Sequence, residues 1–260
     1  FLSLFSKTLE RYNFTVDENS SSNAEIAIDP EMLGRIFENL LAEQNPETGD
    51  SARKATGSFY TPREIVDYMV EQSVSEFLKT ALALDEKLNL EIEDFVHTQI
   101  LPDALAKHEE TISEELSKIK VLDPACGSGA FPIGILQKIV ALKQQLHPKT
   151  KNYKLKLDTI QNSIYGVDIH PMAVELSRLR CWLSLVVDED PKDIKALPNL
   201  DFKFVCADSL MEVGKIKQIN IGNSAEKIEE LKELIIEFFI ANGKRKRELE
   251  KKFKQIQTSL

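Results

Sequence analysis

The sequence predicts an α/β chain built around the first half of a doubly wound parallel sheet. Short runs rich in apolar and β-branched residues occur at 119–122, 163–167 and 202–207, and each closes on an aspartate: Asp123, Asp168 and Asp208. Helical stretches at 131–146 and 171–187 lie between them. Strand alternating with helix implies parallel pairing through right-handed crossovers.

The elements follow in chain order. Over 1–45 the pattern is helical: Asp29 and Pro30 stand where an N-cap and a first helical residue belong, and Met32, Leu33, Ile36, Phe37, Leu40 and Leu41 fall on one face. Pro46, Gly49, Ser51 and Gly57 mark 45–57 as a loop. Thr61 and Pro62 start a second helix, whose Ile65, Val66, Met69 and Val70 make an apolar stripe continuing to about residue 84. Residues 85–118, rich in Glu, Lys and Leu, predict surface helices. The long interval from Asp123 to Asp168 is assigned to a polar insertion at 147–158. Beyond 224 a charged periodic segment, broken at Asn242 and Gly243, predicts a helical hairpin. The expected organisation is a helical region at 1–118, half of an α/β domain at 119–223 and a hairpin extension at 224–260.

Composition bounds the partners. The 33 Lys plus Arg against 42 Asp plus Glu give a net charge of −9, which opposes unaided grip on nucleic acid, because phosphate neutralisation needs a concentrated basic surface. The lysines and arginines at 244–254 are the one basic cluster weighed for such contact, and they are diluted by Glu248 and Glu250. A solvated helix face is the plainer reading. Three cysteines without paired spacing point to a reducing, cytoplasmic setting. No apolar run reaches the roughly 20 residues of a bilayer span. Phe1 in place of an initiator Met, and a helical pattern that reaches the C-terminus without a stop signal, predict a piece of a longer protein.

The chemistry concentrates at the strand ends. Doubly wound sheets bind small molecules at the carboxyl ends of their strands, so three aspartates in register there face one crevice. Behind the first lies Asp123-Pro124-Ala125-Cys126-Gly127-Ser128-Gly129, whose small residues let backbone approach a ligand and turn into the next helix. The loop lacks the Gly-Lys-Ser/Thr ending of a phosphate loop and the GxGxxG of a dinucleotide site. Its acidic first position favours a cationic head, such as the amine and sulfonium of S-adenosylmethionine. Asp168 is suited to ribose hydroxyls and Asp208 to an adenine amino group. Each aspartate could instead simply cap the turn that follows it. Cys126 reads as a small buried loop residue rather than a nucleophile, and His97 and His108 as solvated helix residues rather than metal ligands.

Four ordered motifs carry a resemblance. DPACGSGAF at 123–131 resembles motif I of the amino-group DNA methyltransferases, and GSFYTP at 57–62 the motif that precedes it in the adenine-N6 enzymes of type I and type IIG restriction-modification systems. VDIHP at 167–171 and ADSL at 207–210 are similar to motifs II and III, the order is that of the γ class, and LGRIFE at 33–38 is also similar. The resemblance implies the Rossmann-like methyltransferase fold and S-adenosylmethionine as cofactor. It implies that Tyr60 and Thr61 hold the methionine end, wrapped by the loop that includes Asp123, Ala125, Cys126, Gly127 and Gly129 and runs to Phe131. It further implies Asp168 on the ribose, Ile169 against the adenine, and Asp208 with Ser209 at the adenine edge. The family reaction is in-line methyl transfer to the exocyclic amine of a flipped base. The Asn-Pro-Pro-Tyr/Phe motif that supplies its acceptors does not occur in this sequence. The expectation is thus a cofactor-binding fragment with no catalytic and no metal-ligating residue, its parent reaching DNA through a further C-terminal part and the fragment binding DNA little. Rival readings are a fragment of a protein-glutamine or RNA methyltransferase, and a non-catalytic assembly module with a degenerate site.

Overall fold

The computed structural model describes residues 61–188, 199–211 and 221–259. The expected helix at 1–45, the loop at 45–57 and Tyr60 lie outside them. Helices α1 (Arg63–Leu82) and α2 (Glu86–Thr98) lead through a 3₁₀ turn at Asp103–His108 into α3 (Glu109–Lys118). Then come β1 (Val121–Asp123), α4 (Ala130–Leu146), α5 (Asn152–Asn162), β2 (Ile164–Asp168), α6 (Pro171–Val186) and β3 (Phe204–Cys206), followed by α7 (Ile221–Ile240) and α8 (Gly243–Ser259). The three strands form one parallel sheet in the order β1-β2-β3. The fold is therefore α/β, with helices connecting parallel strands as the sequence predicts.

Two expectations need correction. The stretch taken as a polar insertion contributes most of a helix, α5, because Leu155, Thr159 and Ile160 turn inward and Lys156 buries its stem. The Lys156 ammonium reaches the Ser184 carbonyl at 2.9 Å and Asp188 at 2.5 Å, so a lysine that reads as polar in sequence works as a core residue with a tethered head. The helices at 85–118 are likewise not confined to the surface, since Ile92, Phe95, Leu105, Ile112 and Leu116 are fully buried in the main core.

The buried stripe of α1 is Val66, Val70, Val74 and Leu78, recurring every fourth residue, whereas Ile65 and Met69 are about half exposed. This stripe packs on α4 at Gly134. Helices α7 and α8 make a hairpin, with α8 opening on Gly243 at φ +58°. It docks beside β3: Phe202 meets Phe238 edge-on and Phe253 at a tilt, and the Asn199 amide donates to the carbonyls of Phe238, in the last turn of α7, and of Ala241 just beyond it. No helix among the described residues is long and apolar enough to cross a membrane.

Candidate functional site

The three aspartates are staggered rather than in register. Asp123 pairs with Gly166, two residues short of Asp168, and Asp168 pairs with Cys206, two residues short of Asp208. Because strand side chains alternate with a period of two, Asp123 and Asp168 still emerge on one face. The first loop climbs the step between them.

Hydrogen bonds tie the three strand ends together. Cys126 N–H donates to the Val167 carbonyl at 2.9 Å, and Gly127 N–H to Asp168 Oδ2 at 2.8 Å. Ala207 N–H donates to the Asp168 carbonyl at 3.0 Å, and the Ser209 hydroxyl to the Pro124 carbonyl at 2.6 Å. Each aspartate also closes its own turn, Asp123 accepting from Ala125 N–H, Asp168 from His170 N–H and Asp208 from Leu210 N–H. The capping role and the convergence on one rim therefore coexist.

Glycine is required in the loop for two separate reasons. Gly127 and Gly129 have φ of +53° and +89°. A Cβ at Gly129 would stand 2.8 Å from the Ser177 hydroxyl, whereas one at Gly127 would meet nothing within 4 Å. Gly129 is thus a packing position, and Gly127 turns its bare face outward.

Two residues of α6 that the sequence reading missed hold the loop from below. Ser177 donates its hydroxyl to the Gly127 carbonyl at 3.0 Å, and one turn on, Arg180 donates Nη1 to the Ser128 carbonyl at 2.9 Å. Both are buried. The available signal is a serine and an arginine at i and i+3 on the side of the helix that also carries Ala173, Val174 and Cys181. Cys126 lies beneath the same turn. Burial, opposed by a weak contact with Ser177 and reinforced by Asp123 and Asp168, pushes its thiol up to about 12. It stays protonated and packs.

Asp123 is the electrostatically exposed point of the design. Its Oδ2 is buried and has no hydrogen-bond partner. Burial raises the pKa of the carboxyl, the Ala125 N–H opposes the shift, and the Asp168 charge adds to it. The same carboxyl borders a cleft of about 470 Å³ between α1 and β1, walled mainly by Met69, Val70, Phe77, Leu122, Pro124 and Phe131, with Ser73 and Lys120 also in the lining and Asp123 its only acidic member among the described residues. Phe131 and Asp123 thus share one cavity. Thr61 is half-buried ahead of Pro62, whose carbonyl receives the first amides of α1. Beyond Asp168 and Asp208 stand exposed apolar residues: Ile169, Met172, Leu210 and Met211.

Residues 102–225 match the family model of the MmeI DNA-methyltransferase domain. A protein of Methanocaldococcus jannaschii that carries the provisional name of type II restriction enzyme and methyltransferase is 34% identical over 244 residues, which is 82% of this chain and 19% of that protein. The adenine-specific methyltransferase PglX of Streptomyces coelicolor is 27% identical across 59% of this chain and 12% of its own length. For the adenine-specific methyltransferase BrxX of Escherichia coli the values are 29%, 56% and 13%. The chain therefore spans less than a fifth of the length of the curated relatives it matches. The motif resemblance is borne out: the chain is related to the adenine-N6 methyltransferases of restriction-modification type, and its segment 102–225 carries the sequence of a DNA-methyltransferase domain.

Proposed function

We propose that this chain is the cofactor-binding portion of a DNA adenine-N6 methyltransferase from a restriction-modification or phage-defence system, and that it holds S-adenosylmethionine across the staggered strand ends. One observation carries the reading: the buried, unpartnered Oδ2 of Asp123 beside a mainly apolar cleft, whose one lysine, Lys120, directs its ammonium to the Asn162 carbonyl instead. A carboxylate oxygen withdrawn from water without a donor is costly, and an ammonium or sulfonium is the kind of group that offsets the cost. The residues present fit such a ligand.

Asp123 receives the cationic methionine end, together with Thr61, Tyr60 and the backbone of Ala125, Cys126, Gly127 and Gly129, while Phe131 closes the apolar side. Asp168 spends one lone pair of each oxygen on Gly127 and His170, and its remaining lone pairs accept from ribose hydroxyls. Ile169 covers one face of the adenine, and Asp208 with Ser209 lines its edge. When bound, the cofactor supplies a methyl group activated for in-line transfer to an amine. The strands at 119–223 form the first half of a doubly wound Rossmann-like sheet, preceded by a helical region at 1–118 and followed by the hairpin at 224–260. Methyl transfer and DNA recognition belong to further parts of a longer, cytoplasmic protein, and no metal takes part.

Isothermal calorimetry with S-adenosylmethionine tests the reading. Asp208→Ala removes an exposed carboxylate and leaves stability within about 0.5 kcal/mol. Asp168→Ala also removes the acceptor for two backbone amides, at a cost of about 1–3 kcal/mol in stability, but leaves the chain folded. Each variant weakens binding about tenfold or more, the equivalent of one charge-assisted hydrogen bond. Undetectable binding by the unaltered chain would instead favour the assembly-module reading, and unchanged affinity in both variants would remove their assigned roles.

A further inference from the structure

A second pocket lies toward the amino ends of the strands, away from the loops just described. Its volume is about 430 Å³, within the usual range for ligand sites. It is lined by Ser117 of α3, by Lys143 and His147 at the end of α4, and by Thr150, Lys154, Asp158 and Asn162 around α5. Sequence and geometry both make the place basic. Between Asp123 and Asp158 the chain has no acidic residue and six lysines, in a protein whose net charge is −9.

The decisive group is Lys143. The residue is only 7% exposed, and among the described residues its ammonium makes no hydrogen bond and no ion pair, its tip keeping some contact with solvent. The other two lysines buried on α4 and α5 differ in this respect: Lys138 is held by Glu71 and the Val96 carbonyl, and Lys156 by Asp188 and the Ser184 carbonyl. Burial lowers the pKa of Lys143, Asp158 opposes that shift, and Lys120 adds to it. Asp158 is the one acidic group in the lining, and it makes no ion pair with either Lys143 or Lys154. Lys120 directs its ammonium to the Asn162 carbonyl, and the His147 ring meets the Ser113 hydroxyl at 2.6 Å through Nε2.

Helix α5 runs along one side of the pocket, with Lys154, Leu155, Asp158 and Asn162 facing it, and it carries no acidic residue in its first turn. The opposing carboxyl end of α4 is closed by the His147 N–H on the Lys143 carbonyl at 2.8 Å. We infer that this pocket binds a phosphate group, with the Lys143 ammonium as its principal partner and Lys154 and Thr150 beside it.

The phosphate can come from a small phosphorylated molecule or from a nucleic-acid backbone, and one experiment separates them. Inorganic phosphate and a short DNA duplex are titrated separately into the 260-residue chain at constant ionic strength, while the His147 imidazole resonances and the melting temperature are followed. The expected result is a saturable response that weakens about tenfold in Lys143→Met, which keeps the length of the side chain without its charge. Lys154→Gln, at an exposed position, gives a smaller loss and serves if Lys143→Met does not fold. Saturation by inorganic phosphate identifies a small-molecule site, whereas saturation by duplex alone identifies a backbone contact. A response to neither ligand, or one of equal strength in both variants and the parent chain, overturns the inference.

Discussion

At Asp123 one carboxyl oxygen accepts the Ala125 amide at 3.1 Å while the other is buried without a partner. The Asp123→Asn variant keeps an oxygen for Ala125 and removes the charge. Folding raises the pKa of this carboxyl above 3.8, so the folded chain takes up a proton, and stability falls as pH rises from the unfolded value toward the raised one. Asp123→Asn is therefore expected to melt at a higher temperature than the parent at neutral pH and to lose this advantage in acid. Its affinity for S-adenosylmethionine should drop about tenfold or more. Equal melting temperatures at pH 7 would show that the carboxylate carries no desolvation cost. The residues of this rim were unequally legible. The three aspartates are visible because each ends an apolar run, and that is a pattern along the chain. Ser177 and Arg180 serve the loop from a distant helix, and their partners are backbone carbonyls, which have no residue identity to read.

Among the elements, Gly134 on α4 lets α1 pack closely against it. A Cβ there would stand 2.8 Å from Val66 Cγ1 and 3.3 Å from Val70 Cγ2 of α1. Gly134→Ala gains about 1 kcal/mol in helix propensity but forces a branched side chain aside, at about 1–3 kcal/mol. A net loss of about 1 kcal/mol is expected in urea unfolding. Combined with Val66→Ala, the loss should be smaller than the sum of the single losses, since the two changes relieve each other. Stabilisation by Gly134→Ala would show that α1 moves freely on α4. The apolar runs predicted all three strands to within two residues and both crossover helices to within one. They failed at α5, where Lys154, Lys156 and Asp158 mask an inward row, and at α2 and α3, where charge density on one face hid complete burial of the other.

For the whole molecule, charge is partitioned rather than spread. The basic hairpin face is partly neutralised, Arg245 by Glu237 and Glu248 and Lys246 by Asp201, whereas the lysines around α5 are less fully matched. The sequence contains no Pro-Pro pair, so the Asn-Pro-Pro-Tyr/Phe motif that the resemblance leads one to expect does not occur in it. Transfer of a radiolabelled methyl group to unmodified DNA by this chain should stay at background. Measurable turnover would assign catalysis to residues within it. The overall class was readable because strand and helix alternate from residue 119 onward, but the stagger of the strand ends was not, since register arises only when strands meet. The Ser209 hydroxyl and the Pro124 carbonyl it touches are separated by 85 positions, and Gly127 and Asp168 by 41. Contacts between residues so far apart in sequence exist only where the strands have paired, so the rim is a product of tertiary assembly and of no single segment. A half-folded copy has every part of the pocket and none of its shape, and capture of a small molecule there would report that assembly is finished.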